Sequence, residues 1–119
     1  MALMLTREQF WSSICLLDGR ELKTLGRGRP FAVEAVDEVG VVLAPVVSGK
    51  RRTIDRGTLE EAFDALLDRR ELTGVEIAEE FSPFNGVYVA AMLAALPDVA
   101  PCTQPIRLIF VGRQLFYVD

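Results

Sequence analysis

Apolar positions along the chain repeat with a helical period at the start, with a strand period through the middle, and with a helical period again in the second half. In the opening segment Phe10, Ile14 and Leu17, flanked by Trp11, follow helical spacing. Thr6-x-x-Gln9 reads as a capping box before them, and Asp18-Gly19 as the stop. From 20 to 54 the period changes. Glu21-Leu22-Lys23-Thr24-Leu25 predicts a short strand, closed by the glycine-rich GRGRP. In FAVEAV the residues Phe31, Val33 and Ala35 alternate with Glu34, as a half-buried strand requires. A turn over 37–40 leads into the apolar run VVLAPVV, where Pro45, unable to donate to a ladder, predicts an edge or a bulge. Ser48-Gly49 predicts another turn, with the return strand beginning at Arg52-Thr53-Ile54.

The remainder predicts three helices and a hairpin. Thr58-x-x-Glu61 reads as a capping box, with Leu59, Ala62, Phe63, Leu66 and Leu67 as a core stripe. Thr73-x-x-Glu76 reads as a third box, opening a short helix with Val75, Ala78 and Phe81. Ser82-Pro83, or Asn85, caps a further helix that ends at Pro97. The tail IRLIFVGRQLFYV reads as strand, Gly112-Arg113 turn and strand. No repeat, low-complexity tract or linker interrupts the pattern. The expected fold is therefore a single α+β domain over 1–119: an N-terminal helix, a small antiparallel sheet, three helices and a C-terminal β-hairpin.

This order of elements resembles a winged-helix module. ELTGVEIAEEF resembles the first helix of a helix-turn-helix, SPFNGVYVAAMLAAL stands in the recognition-helix position, and 106–118 takes the place of the wing. The resemblance covers about half the chain (57–119) and is one of layout. It implies DNA binding as one role among several, but a DNA-reading helix carries Arg, Lys, Asn or Gln toward bases and phosphates. No Lys or Arg occurs between Arg70 and Arg107, and the candidate helix offers only Asn85 and Tyr88. An alanine-rich helix of this kind is expected in the core or in a dimer seam.

Charge sharpens the division into halves. The net charge of −4 is an average of unlike parts. Residues 20–56 carry eight bases against five acids, whereas 57–105 carry only Arg69 and Arg70 against nine acids. Arg27 and Arg29 in GRGRP, with Lys50, Arg51, Arg52 and Arg56 around the second turn, are the candidate nucleic-acid contacts. Whether the two basic loops share one end of the sheet depends on strand register. The Gly49-Lys50 pair lacks both flanking requirements of a phosphate-binding Walker loop, since Ala44 and Arg51 stand at the decisive positions.

Other chemistry is sparse. Histidine is absent, which removes the commonest general base and metal ligand. Cys15 in a helical run and Cys102 in an apparent loop between prolines have no base to activate them, and are expected as reduced thiols in a cytoplasm. The acidic pairs Glu60-Glu61, Glu79-Glu80 and Asp64/Asp68 fall on the polar sides of helices and are expected in water. No apolar run reaches the roughly 20 residues that span a bilayer, and the start has no basic leader region. No catalytic residue, metal site, cofactor or membrane contact is expected. The functional expectation is a non-catalytic binding or adaptor domain, with two occupants open. One is nucleic acid on the basic edge. The other is a protein partner or a second copy on the apolar tail, through Phe110, Leu115, Phe116 and Tyr117.

Overall fold

The alternating stretch of the first half folds as a four-stranded antiparallel meander, β1 (Glu21–Lys23), β2 (Pro30–Val36), β3 (Gly40–Pro45) and β4 (Arg52–Asp55), in that spatial order. The computed structural model describes residues 7–112. Thr6, and with it the first capping box, lies outside that range. Phe31 and Val33 of β2 are buried, as alternation predicts, but Ala35 is exposed. A bulge between Val33 and Ala35 shifts the register there and turns Ala35 to the outer face. The irregularity expected at Pro45 is thus displaced to Glu34. Pro45 pairs with Phe31 at the end of β3, where a missing donor costs the ladder nothing. The 37–39 turn is closed by Asp37, whose Oδ1 accepts from the amides of Val39 at 2.8 Å and Gly40 at 3.0 Å. Gly40 faces β4 so closely that a Cβ there would overlap the Ile54 carbonyl.

Helix α1 (Arg7–Cys15) precedes the sheet and α2 (Arg56–Arg69) follows it. Helix α2 begins two residues before Thr58. Asp55 occupies the cap position without a side-chain cap bond, so the capping box expected at Thr58 does not form. Strand β4 runs straight into the helix, and Thr58 is already inside its first turn. The predicted stripe is otherwise correct: Leu59, Ala62, Phe63 and Leu66 are buried and Leu67 is half-buried.

The second half builds its own sheet. Arg70, at φ 68°, turns the chain out of α2 into β5 (Glu71–Thr73). Helix α3 (Gly74–Glu76) is a single turn that runs on into a π-helical turn (Ile77–Phe81). Then come α4 (Gly86–Ala94), β6 (Val99–Thr103) and β7 (Ile106–Phe110), and the sheet order is β5-β7-β6. The Thr73–Glu76 capping box is present: Thr73 Oγ1 accepts from the Glu76 amide at 3.0 Å, and Glu76 Oε1 accepts from the Thr73 amide at 2.9 Å.

One expectation is corrected here. Cys102 lies in β6, not in a loop. Strand β7 pairs with the strand before it, β6, on one edge and with β5 on the other. The strand expected over 114–118, with Leu115, Phe116 and Tyr117, lies outside the described residues.

A single apolar cluster joins the halves. The ring of Phe63 stacks on Phe10 of α1 at 4.4 Å and meets Phe110 of β7 edge-on at 6.3 Å. Phe110, an expected partner contact, is thereby used internally, with Arg70 lying 5.4 Å over its ring. The alanine-rich helix is a core element, with Val89 to Leu93 all buried. Phe10 is fully buried, and Phe10→Ala removes the contact that ties α1 to α2. It is expected to cost about 3–5 kcal/mol of unfolding free energy in a urea titration.

Candidate functional site

The meander settles the register question. Loops β1–β2 and β3–β4 emerge at the same end of an antiparallel sheet, so Arg27 and Arg29 stand beside Lys50 and Arg51. Loop 24–29 is held by Thr24, which exchanges two backbone bonds with Arg29 and Gly28 and accepts at Oγ1 from the Arg29 amide at 3.0 Å. Its arginines are exposed but stand on a fixed backbone.

The six basic candidates do not act alike. Arg51 donates from Nε to Glu34 at 2.6 Å. Arg52 reaches across to the second half, where Nη1 donates to the Phe84 carbonyl at 3.3 Å and to Asn85 Oδ1 at 3.1 Å, and its guanidinium lies 5.3 Å over the Tyr88 ring. Asn85 and Tyr88, the only polar readers on the candidate recognition helix, are both engaged by this one side chain. Arg56 is at the far end of β4 from Arg52. It pairs with Glu60 at 3.0 Å and lies 4.9 Å over Trp11, so it does not belong to the basic end. Arg27, Arg29 and Lys50 make no ion pair among the described residues.

Between this end of the meander and the second half lies a cavity of about 1200 Å³. One wall is the two loops with Arg27, Arg29, Val47 and Arg52, and the other is built from Gly74, Val75, Ala78, Gly86, Val87 and Ala90. Ile106 of β7 forms part of the floor. Small residues give the groove its shape. A Cβ on Gly26 would stand 3.1 Å from Ile106 Cδ1, one on Gly74 3.2 Å from Ile106 Cβ, and one on Gly86 3.1 Å from Ala78 Cα.

The π-helical turn decides which side chains face this space. Its wide turn, closed by the Ser82 amide donating to Ile77 O at 3.0 Å, places Ile77 in the core. Val75 of α3 is 65% exposed and lines the groove. Arg69 braces this segment from α2, pairing with Glu76 at 3.5 Å and Glu80 at 2.8 Å. The hydrogen bond from Arg69 holds the Glu80 carboxyl below its ordinary value.

Two further acids are used in the fold. Glu60, expected in water, is buried and shared by Arg7 and Arg56, and Asp64 pairs with Arg7. Arg7 thus ties α1 to α2 by charge where Phe10 ties it by packing. No residue lining the groove is acidic, and neither cysteine lines it. Both thiols are free, and Cys102 Sγ lies 3.8 Å from Arg107 Nη2. No three cysteines or carboxylates among the described residues are grouped as a metal ion would need. No described helix is long and apolar enough to cross a membrane.

No known protein family, curated protein or solved structure matches this chain.

The groove was not legible in the sequence. Its basic wall was, but its apolar wall depends on a π-helical turn that leaves Val75 outside and on contacts between distant glycines and Ile106. Arg52→Gln removes the bonds that hold the two walls together while leaving the core intact. It is expected to cost about 1–2 kcal/mol in chemical denaturation and to speed amide exchange over 84–88.

Proposed function

We propose that this chain is a non-catalytic binding domain that takes an anionic, partly apolar partner in the groove between its two sheets. The observation that carries the reading is the composition of the lining: valine, proline, alanine and glycine surfaces with three arginines and no acid. Anionic groups meet attraction there without competing repulsion, and apolar groups find a surface already bare of charge. A partner rather than a reaction is supported by the absence of thiol, carboxylate or imidazole from the lining. The volume also exceeds the roughly 300–1000 Å³ usual for small-molecule pockets, which favours a segment of a larger partner.

The exposed apolar residues point to the same place. Val47, Val75 and Val87 are each more than half exposed and line the groove. Three such side chains along one trough are what a docking surface leaves uncovered in the free protein.

The anionic apolar dye 1-anilinonaphthalene-8-sulfonate tests the reading directly. The native protein is expected to enhance its emission. Val87→Glu is expected to weaken dye affinity by about tenfold or more, because a carboxylate then faces the apolar site. Arg27→Glu with Arg29→Glu is expected to weaken it further, with thermal melts unchanged. Dye binding insensitive to all three changes would rule the groove out.

A second reading rests on the convergence of Arg27, Arg29, Lys50 and Arg51 at one end of the sheet. Here these cations contact a nucleic-acid backbone, and the order of three helices and a hairpin over 56–110 supports the winged-helix-like layout behind it. This reading expects binding of a labelled 20-nucleotide strand that weakens with salt, with a log–log slope of about −0.7 per phosphate contacted. Binding should vanish in Arg27→Glu with Lys50→Glu and survive Val87→Glu. Retention of binding at high salt would refute it.

A further inference from the structure

We infer that the partner seated in the groove is an acidic amphipathic helix of a polypeptide. Its apolar face lies on Val47, Val75 and Val87, and its carboxylates meet Arg27, Arg29 and Arg52. The inference rests on the groove reading above and adds the chemistry of the occupant.

Three features select a helix over an extended segment. A strand adds to a sheet through free N–H and C=O groups along an edge. The groove offers no such edge: β4 contributes only Arg52, and the rest of the lining comes from loops, helices and the ends of strands. Pro30, Pro45 and Pro105 all line it, and none has an N–H to donate. What remains is a trough of side chains, which is the surface that takes the apolar stripe of a helix.

Charge selects the sign. Arg27 and Arg29 are exposed, held on the Thr24-clamped loop, and make no ion pair among the described residues. Arg52 makes its hydrogen bonds through Nη1, leaving its other nitrogens for a carboxylate. With no acid in the lining and all three arginines on the meander wall, a basic helix is repelled along that wall and an acidic one is attracted.

The same lining disfavours a nucleic acid in the groove. Bases bind on open aromatic faces. Tyr88 is the only ring in the lining, and it is covered by Arg52 at 5.3 Å and met by Phe31 at 5.1 Å. Aliphatic Val47, Val75 and Val87 give a base nothing to stack on, but they accept leucine and phenylalanine side chains.

A display selection of random peptides of about 16 residues, roughly four helical turns, tests the inference. The bait is the full chain, with counter-selection on the Val75→Glu, Val87→Glu protein. Expected winners carry Leu, Phe or Met at i, i+3 or i+4 and i+7, with Asp and Glu in excess over Lys and Arg. A synthetic winner should gain helical circular dichroism on binding. It should lose about tenfold affinity against Arg27→Glu with Arg29→Glu, surface changes that leave the fold intact, and its Lys-for-Glu version should prefer that protein. Winners without acidic excess, or binding indifferent to the charge reversal, overturn the inference while dye binding upholds the groove. Extended winners overturn it as well. Failure to recover any groove-dependent peptide overturns it too. Concentration-dependent self-association in sedimentation, lost on Val87→Glu, would assign the groove to a second copy instead.

Discussion

The ring of Phe63 is the contact on which the rest of the structure depends. It stacks on Phe10 at 4.4 Å and receives Phe110 edge-on at 6.3 Å. Three segments distant in sequence, α1, α2 and β7, therefore meet at one side chain. Aromatic pairs in these geometries contribute beyond their buried area, and their preferred orientations also fix how the elements sit. Because α2 packs on strands of both sheets, its stripe of Leu59, Ala62, Phe63 and Leu66 sets the spacing of the two halves.

The groove follows from that spacing. Each half closes its own sheet, yet the facing ends are not flush. Ile106 approaches positions 26 and 74 only because both are glycine, and Gly86 lets α4 approach Ala78. Tight contact at these points leaves an open trough beside them. Arg52 spans it at one end, and its bonds to Phe84 and Asn85 are made across the boundary between basic and acidic halves. The long arginine thus serves the fold as a latch while keeping part of its guanidinium at the site.

Electrostatics divides along the same boundary. Five acids of the second half are partnered: Glu60 and Asp64 by Arg7, Glu76 and Glu80 by Arg69, Glu71 by Arg107. At the loop end of the meander, cations exceed the acids near them, and Glu34 on Arg51 is the single ion pair among the described residues there. Part of the charge on this chain is therefore structural, while three arginines line an apolar trough that holds no acid. Surface pairs of this kind add little stability singly, but their distribution sets which partners are attracted.

The periodicity alone determined the α+β class, the four strands of the first half, the core stripe of α2 and the Thr73 capping box. These are local matters, because alternation, spacing and capping act over a few residues. It also located the basic segments, though not that their loops share an end, which needs the sheet order. Tertiary structure decided the rest. Strand β6 hid behind Pro101 and Pro105, and β5 is too short to show a period. The bulge at Glu34 and the π-helical turn at Ile77 each shift which face is buried, by a register change that no local propensity marks. Thr58 lost its capping role because β4 runs unbroken into α2. Arg56 left the basic set because Trp11, far away in sequence, and Glu60, one turn further along α2, claimed it. The groove is the clearest case. Its walls are brought together by burial of Phe63 and by the space three glycines leave open, so it exists only once the two halves have packed.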